Sequence, residues 1–152
     1  MRKVAKNIFL IGMMGSWKTT IGKKLAKLID FKFVDIDNEI ETASDMSIAE
    51  IFTEKGEDYF RKIESELFIK ISKKHNYVVS TGGGVVLDRL NRLALQTNGF
   101  TIFLKASPEI LFARLKNNQK RPLLHGNDAL FKLSQIWEVR KSFYSESANC
   151  II

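Results

Sequence analysis

The stretch KNIFLIGMMGSWKTTIGKKLAKLI, residues 6–29, decides how this chain is read. Four apolar residues, 8–11, run into Gly12, and a Lys18-Thr19 pair then opens an amphipathic helix. An apolar run, a glycine-containing turn and a helix starting at Lys-Thr make up a phosphate-binding P-loop. Its exposed backbone N–H groups curl round a polyphosphate, its lysine reaches the outer phosphates and its hydroxyl serves Mg2+. Gly12, Lys18 and Thr19 fit the pattern G-x-x-x-x-G-K-[ST], and Gly15 adds freedom inside the loop. Trp17 stands where the pattern asks for glycine. Taken alone, the stretch reads equally well as an ordinary strand-to-helix connection.

Downstream, apolar runs and helical patterns alternate. Strands are predicted over residues 8–11, 33–36, 77–80 and 100–104, and in the terminal Cys-Ile-Ile. None alternates cleanly between apolar and polar, which fits strands covered on both faces. Helices are predicted over residues 20–29, with Ile21, Leu25 and Leu28 as the apolar seam, and 58–74, with Phe60, Ile63, Leu67 and Ile71. Ser107-Pro108-Glu109 is a helix start, with Ser as N-cap, Pro at the first position and an acid in the first turn. A last helix is predicted over residues 130–143. This alternation predicts an α/β fold, a parallel sheet flanked by helices.

Bulk composition bounds the function. A chain of 152 residues with 45% hydrophobic and 27% charged content is one ordinary globular domain. The single cysteine, Cys150, leaves no internal disulfide, which suits the cytoplasm. No apolar run approaches the ~20 residues of a membrane span. Arg2, Lys3 and Lys6 before IFLIGMMG imitate a signal peptide. Lys18 follows within a few residues and no cleavage site appears, so a buried first strand is expected instead. The net charge of +7 admits nucleic acid, a membrane surface or an anionic small molecule. Lys23, Lys24, Lys27, Lys70, Lys73 and Lys74 fall on patterned helices, where solvated faces are the ordinary explanation, and no aromatic residues interleave with them. A phosphate-bearing ligand is expected, with no nucleic-acid or membrane partner.

Five further motifs carry chemistry, each with a plainer alternative. In FKFVDIDNEI, Asp35 and Asp37 stand two apart at the end of the second strand, where alternation sets both on one side, at the sheet end where α/β folds bind ligands. They also read as a helix start, with Asp37 or Asn38 as cap. In GEDYFRKIESE, Arg61 is a candidate ligand-binding cation or a surface arginine paired with Glu57 or Glu64. Gly82, Gly83 and Gly84 in a row are entropically expensive and make sense where a ligand touches the backbone. NNQKRPLLHGND, with Lys120 and Arg121, reads as a lid or a plain surface loop. Arg140, with Tyr144 one turn beyond, is a site residue or part of a solvated helix face.

Taken together and in this order, these elements resemble the shikimate kinase family along essentially the whole chain. The matching elements are Gly12-Met-Met-Gly15-Ser16, Asp35-x-Asp37, the G-E-x-x-F-R ending at Arg61, Gly82 to Gly84, Arg121-Pro122-Leu-Leu and Arg140-x-x-x-Tyr144. The resemblance implies a five-stranded parallel sheet in a P-loop, nucleoside-monophosphate-kinase-like core. Residues of about 37–64 would form a helical substrate insert and about 117–127 a lid, all within one domain spanning 1–152. The implied reaction is phosphoryl transfer from ATP, with Mg2+, to the 3-hydroxyl of shikimate, in a monomer.

Roles follow residue by residue. Gly12, Gly15, Ser16, Trp17, Lys18, Thr19 and Thr20 would surround the nucleotide. Lys18 would meet the transferring phosphate, and Thr19 with Asp35 would hold Mg2+. Arg114 would lie against adenine, and Arg121 would swing in with the lid. Asp37 would bind the shikimate hydroxyls and position the attacking one, while Arg61 and Arg140 would clamp the carboxylate. Gly82, Gly83 and Gly84 would approach the ring, walled by Phe52, Phe60 and Pro122.

Two departures from the family pattern remain. One is Trp17, which is expected to displace the loop and to weaken MgATP binding more than shikimate binding. The other is the C-terminus, which the resemblance would continue with an adenine-side loop and a final helix. The rival readings are another P-loop kinase for a carboxylate-bearing substrate and a non-catalytic shikimate-binding relative.

Overall fold

The computed structural model describes residues 6–116 and 128–152. β1 (Asn7–Ile11) lies at the centre of a five-stranded sheet with β2 (Lys32–Asp35), β3 (Tyr77–Ser80), β4 (Phe100–Phe103) and β5 (Cys150–Ile151). The order is β2-β3-β1-β4-β5. Every pairing is parallel, with Ile8 opposite both Val78 and Phe100. The predicted α/β class and all five strands are present. Among the described residues, seven α-helices connect the strands: α1 (Lys18–Ile29), α2 (Ile36–Ser44), α3 (Ile48–Lys55), α4 (Glu57–Ser72), α5 (Arg89–Thr97), α6 (Pro108–Leu115) and α7 (Ala129–Ser147). The expected lid, with Lys120, Arg121 and Pro122, lies outside the described residues.

The two faces of the sheet are unequal. Phe9 and Ile11 of β1 point into a large core with Phe68, Phe103, Leu133 and Tyr144. Leu10 points the other way, into a small cluster with Ala26 and Val78 under α1. There α1 approaches closely through Gly22, where a Cβ would come within 2.6 Å of the Phe33 ring. This shifts the expected seam. Gly22 and Ala26 are buried, Ile21 and Leu25 flank them, and Leu28 is 83% exposed. Lys23, Lys24, Lys27, Lys73 and Lys74 are exposed, as solvated faces require.

Further expectations need correction. The second strand does not reach Ile36. Asp35 ends β2 and caps α2, its carboxylate accepting from the Asn38 N–H at 3.2 Å. The cap is therefore Asp35, not Asp37 or Asn38. Asp35 and Asp37 are set by a strand end and a first helical turn, not by strand alternation. On α4 the buried stripe is Phe60, Glu64, Phe68 and Ile71, with Ile63 and Leu67 only half-buried. α2 is the helix that the alternative reading of Asp35 to Asn38 expects, and α2 and α3 fall within the helical insert of about 37–64 that the resemblance implies; α5 has no counterpart in the sequence reading. α3 carries a full capping box, in which Ser47 Oγ accepts from the Glu50 N–H at 3.1 Å and Glu50 accepts from the Ser47 N–H at 2.7 Å.

Candidate active site

The loop after β1 is shaped by its glycines. Gly12 takes φ 148°, and a Cβ there would stand 2.6 Å from the Leu104 carbonyl oxygen. Gly15 takes φ 81°, with Leu115 within 2.9 Å of where its Cβ would be. Trp17 adopts φ 66° and ψ 24°, the left-handed conformation the missing glycine would favour, and starts α1 without a side-chain cap. A bulky residue there carries strain of about 1–3 kcal/mol. Its indole turns outward and is 57% exposed. The guanidinium carbon of Arg114 lies 4.0 Å from the indole centroid, and Arg114 Nη1 donates to the Gly15 carbonyl at 3.0 Å.

Lys18 is buried. Its ammonium donates to the carbonyls of Gly12 and Met13 at 2.8 and 2.9 Å, so the charge sits in the hollow of the loop. Thr19 follows on the first turn of α1. Its hydroxyl donates to Asp35 Oδ2 at 2.5 Å and lies 3.4 Å from Ser80 Oγ. β3 ends here too: the Thr81 hydroxyl donates to the Leu10 carbonyl at 2.9 Å, which anchors the glycines that follow.

A second charged cluster is built from α4, α7 and the glycine triplet. Arg61 Nη1 donates to Glu64 Oε1 at 2.9 Å and Nη2 to Glu57 at 3.4 Å. Both pairings expected of a surface arginine are thus made, yet Arg61 also faces the cavity and its Glu64 partner is 1% exposed. Arg61 Nε and Glu64 Oε2 are buried and find no hydrogen-bond partner among the described residues. Arg140 is buried, within 3.3 Å of where a Gly83 Cβ would stand. Tyr144, one turn on, stacks on Phe103 with centroids 5.0 Å apart and donates to the Gly83 carbonyl at 2.5 Å. Burial pushes its phenol up to about 12, so it is the donor at any working pH.

None of the three glycines has a positive φ. A Cβ on Gly82 would collide with the Glu64 carboxylate and come to 3.0 Å from Asp37 Oδ1, and one on Gly84 would collide with the Arg61 guanidinium. The triplet first makes room for charged side chains, a different reason from ligand contact.

Burial raises the Glu64 carboxyl above its ordinary 4.5, against the pull of the Arg61 guanidinium, and the charge of Asp37 adds to the rise. A raised acid in the folded state binds its proton more readily than the unfolded chain does. That contribution to stability is full below 4.5 and is lost as pH rises through the raised folded value. Glu64→Gln removes the titration. The melting temperature of the parent minus that of Glu64→Gln is therefore expected to fall as pH rises from 4 across this window. A flat or rising difference in thermal melts would contradict the burial assigned to Glu64.

The two clusters share one cavity of about 700 Å³. Of the residues expected at the nucleotide, Gly15, Ser16, Trp17, Lys18, Thr19, Thr20 and Arg114 line it. Gly12 does not, and shapes the loop from behind. Asp35, Asp37, Arg61, Arg140 and the three glycines line it as well, with Phe52 and Phe60 as an aromatic wall whose centroids are 4.9 Å apart. Arg114 lies on the Trp17 indole. Glu64 also faces the cavity and was read from sequence only as a pairing option for Arg61. Its place on the Phe60-Phe68-Ile71 stripe was the available signal.

A family model described as shikimate kinase matches residues 14–152. The shikimate kinase of Caldanaerobacter subterraneus subsp. tengcongensis is 45% identical over 139 residues, covering 91% of this chain and 81% of that protein. Among solved structures, the shikimate kinase from Acinetobacter baumannii in complex with shikimate superposes with a TM-score of 0.94 at 33% identity. That match covers 99% of this chain and 84% of the other. Deoxyadenosine kinase from M. mycoides with bound dATP shares the fold, with a TM-score of 0.59 at 14% identity over 96% of this chain and 90% of the other.

Proposed function

The chain belongs to the shikimate kinase family, and from that premise we propose how its cavity carries out the ATP-dependent phosphorylation of shikimate. One observation carries the reading: a single cavity holds a phosphate loop at one end and two arginines with a carboxylate at the other. A polyphosphate and a small carboxylate-bearing alcohol fit such a space with their reacting ends facing.

Shikimate enters between Arg61 and Arg140, which take its carboxylate. The glycine triplet leaves room for the ring, and Phe52 and Phe60 wall it; residues of about 37–64 act as the substrate insert. Asp37, in the first turn of α2, holds the 3-hydroxyl and receives its proton as the oxygen attacks. The oxygen–phosphorus bond forms in line as the bond to the leaving ADP oxygen breaks. Lys18 exchanges the Gly12 and Met13 carbonyls for phosphate oxygens and stabilises the charge that builds there. Arg121 and Pro122 are assigned to the lid on the family pattern alone.

Thr19 and Asp35 fit Mg2+. A hydroxyl and a carboxylate stand together at the cavity, and no group of three acidic or imidazole ligands occurs among the described residues. That suits an ion which takes most of its ligands from phosphates and water. When bound, Mg2+ neutralises phosphate charge. The reading takes the protein as a monomer. The lone cysteine supports a cytoplasmic setting. No helix among the described residues is long and apolar enough to cross a membrane.

The reading is tested by ADP release in a coupled assay with shikimate, gluconate or deoxyadenosine as acceptor. Shikimate is expected to exceed the others by at least about a hundredfold in kcat/KM. Comparable turnover of another acceptor, or none with shikimate, would refute it.

A further inference from the structure

Trp17 is the residue of the phosphate loop that the P-loop pattern leaves unexplained. Among the described residues, three arginines line the cavity. Arg61 is engaged with Glu64 and Arg140 packs beside Gly83, both at the acceptor end. Among the described residues, Arg114 alone stands beside the phosphate loop, tied to the Gly15 carbonyl at 3.0 Å. Its guanidinium lies 4.0 Å from the centre of the Trp17 indole. The indole is held out of the loop by a left-handed backbone, so the contact is built into how the loop starts α1.

A guanidinium is a planar cation that stacks on aromatic faces, and indole is the strongest such face among side chains. A purine is a planar bicycle of similar size. A nucleotide gripped by its phosphates at Lys18 and Thr19 brings its base toward this end of the cavity. It meets there a guanidinium whose carbon already lies 4.0 Å from the centre of the Trp17 indole.

We propose that Trp17 sets donor specificity: by occupying Arg114, its indole denies the base a stacking partner. The chain then grips a phosphoryl donor through its triphosphate and scarcely distinguishes one base from another. This rests on the reading above, that the cavity binds a nucleoside triphosphate.

Calorimetry with MgATP, MgCTP and inorganic tripolyphosphate with Mg2+ tests it on the parent, Trp17→Gly, Arg114→Ala and the double variant. In the parent, ATP and CTP are expected to bind within about threefold of each other, and Arg114→Ala to change ATP and tripolyphosphate by the same factor. Trp17→Gly is expected to tighten ATP by at least about tenfold and tripolyphosphate by less than about threefold. In the double variant the gain for ATP disappears. Three results would overturn the proposal: a parent that prefers ATP to CTP more than about tenfold, a Trp17→Gly chain that gains equally for tripolyphosphate, or one that loses ATP affinity. The second would place the effect in backbone strain; the third would make the indole a platform for the base. Absence of binding by any nucleotide or by tripolyphosphate, in parent and variants alike, would sink the nucleotide-site reading itself and this proposal with it.

Discussion

Asp37→Asn is expected to lower kcat by about 10²–10⁴-fold while changing the KM for shikimate by less than about tenfold. The residue lines the cavity between the phosphate loop and the arginine cluster. Asparagine keeps its size and still hydrogen-bonds a hydroxyl, so ground-state binding survives. It cannot take the proton as the hydroxyl oxygen attacks, so the loss falls on the transition state. Steady-state kinetics separates the two parameters. A variant with near-parental kcat would remove Asp37 from the chemistry and leave it a binding contact.

Arg61→Ala is expected to weaken shikimate binding by about 2–5 kcal/mol, with nucleotide affinity unchanged. Two effects overlap at this position. The guanidinium is proposed to take the substrate carboxylate, and it also balances Glu64, which is 1% exposed. Removing one partner of a buried pair leaves the other charge uncompensated, so the variant is also expected to melt lower. The double variant Arg61→Ala with Glu64→Gln separates the two effects. It should recover much of the melting temperature and none of the affinity. Calorimetry showing parental shikimate affinity in the single variant would take Arg61 out of the site.

Much of this was legible in the sequence, for identifiable reasons. The central strand announced itself because Phe9, Leu10 and Ile11 are wholly buried, two facing one core and one the other, so the run is uniformly apolar. The Ser-Pro-Glu start of α6 was legible because capping chemistry is local; Ser107 Oγ accepts from the Ile110 N–H. The capping box at Ser47 and Glu50 was equally local and passed unread. α5 hid behind exposed leucines, Leu90 and Leu93, which blur its polar face, although Asp88 caps it through the N–H groups of Leu90 and Asn91. Glu64 illustrates the harder limit. Its place on the Phe60-Phe68-Ile71 stripe signals burial, but the glycine triplet it packs against is distant in the chain, and no spacing within α4 reveals that partner. Arg114 was placed against adenine on family resemblance. The Trp17 indole that lies against it is turned there by a backbone angle, which sequence alone does not give.

The strand order has a consequence for how the chain comes off the ribosome. β1 is made first, yet its hydrogen-bonding neighbours are β3, which starts at Tyr77, and β4, which starts at Phe100. No local hairpin can satisfy it in the meantime. At ~5–20 residues per second, the NIFLI segment waits about 3–14 s for β3 to be synthesised. Helices such as α4 need no distant partner and can form during that interval, whereas sheet closure carries the slow kinetics of long-range pairing. α1, which begins at the left-handed turn of Trp17, packs across β3. The phosphate loop thus follows a strand whose sheet partners are all translated after it.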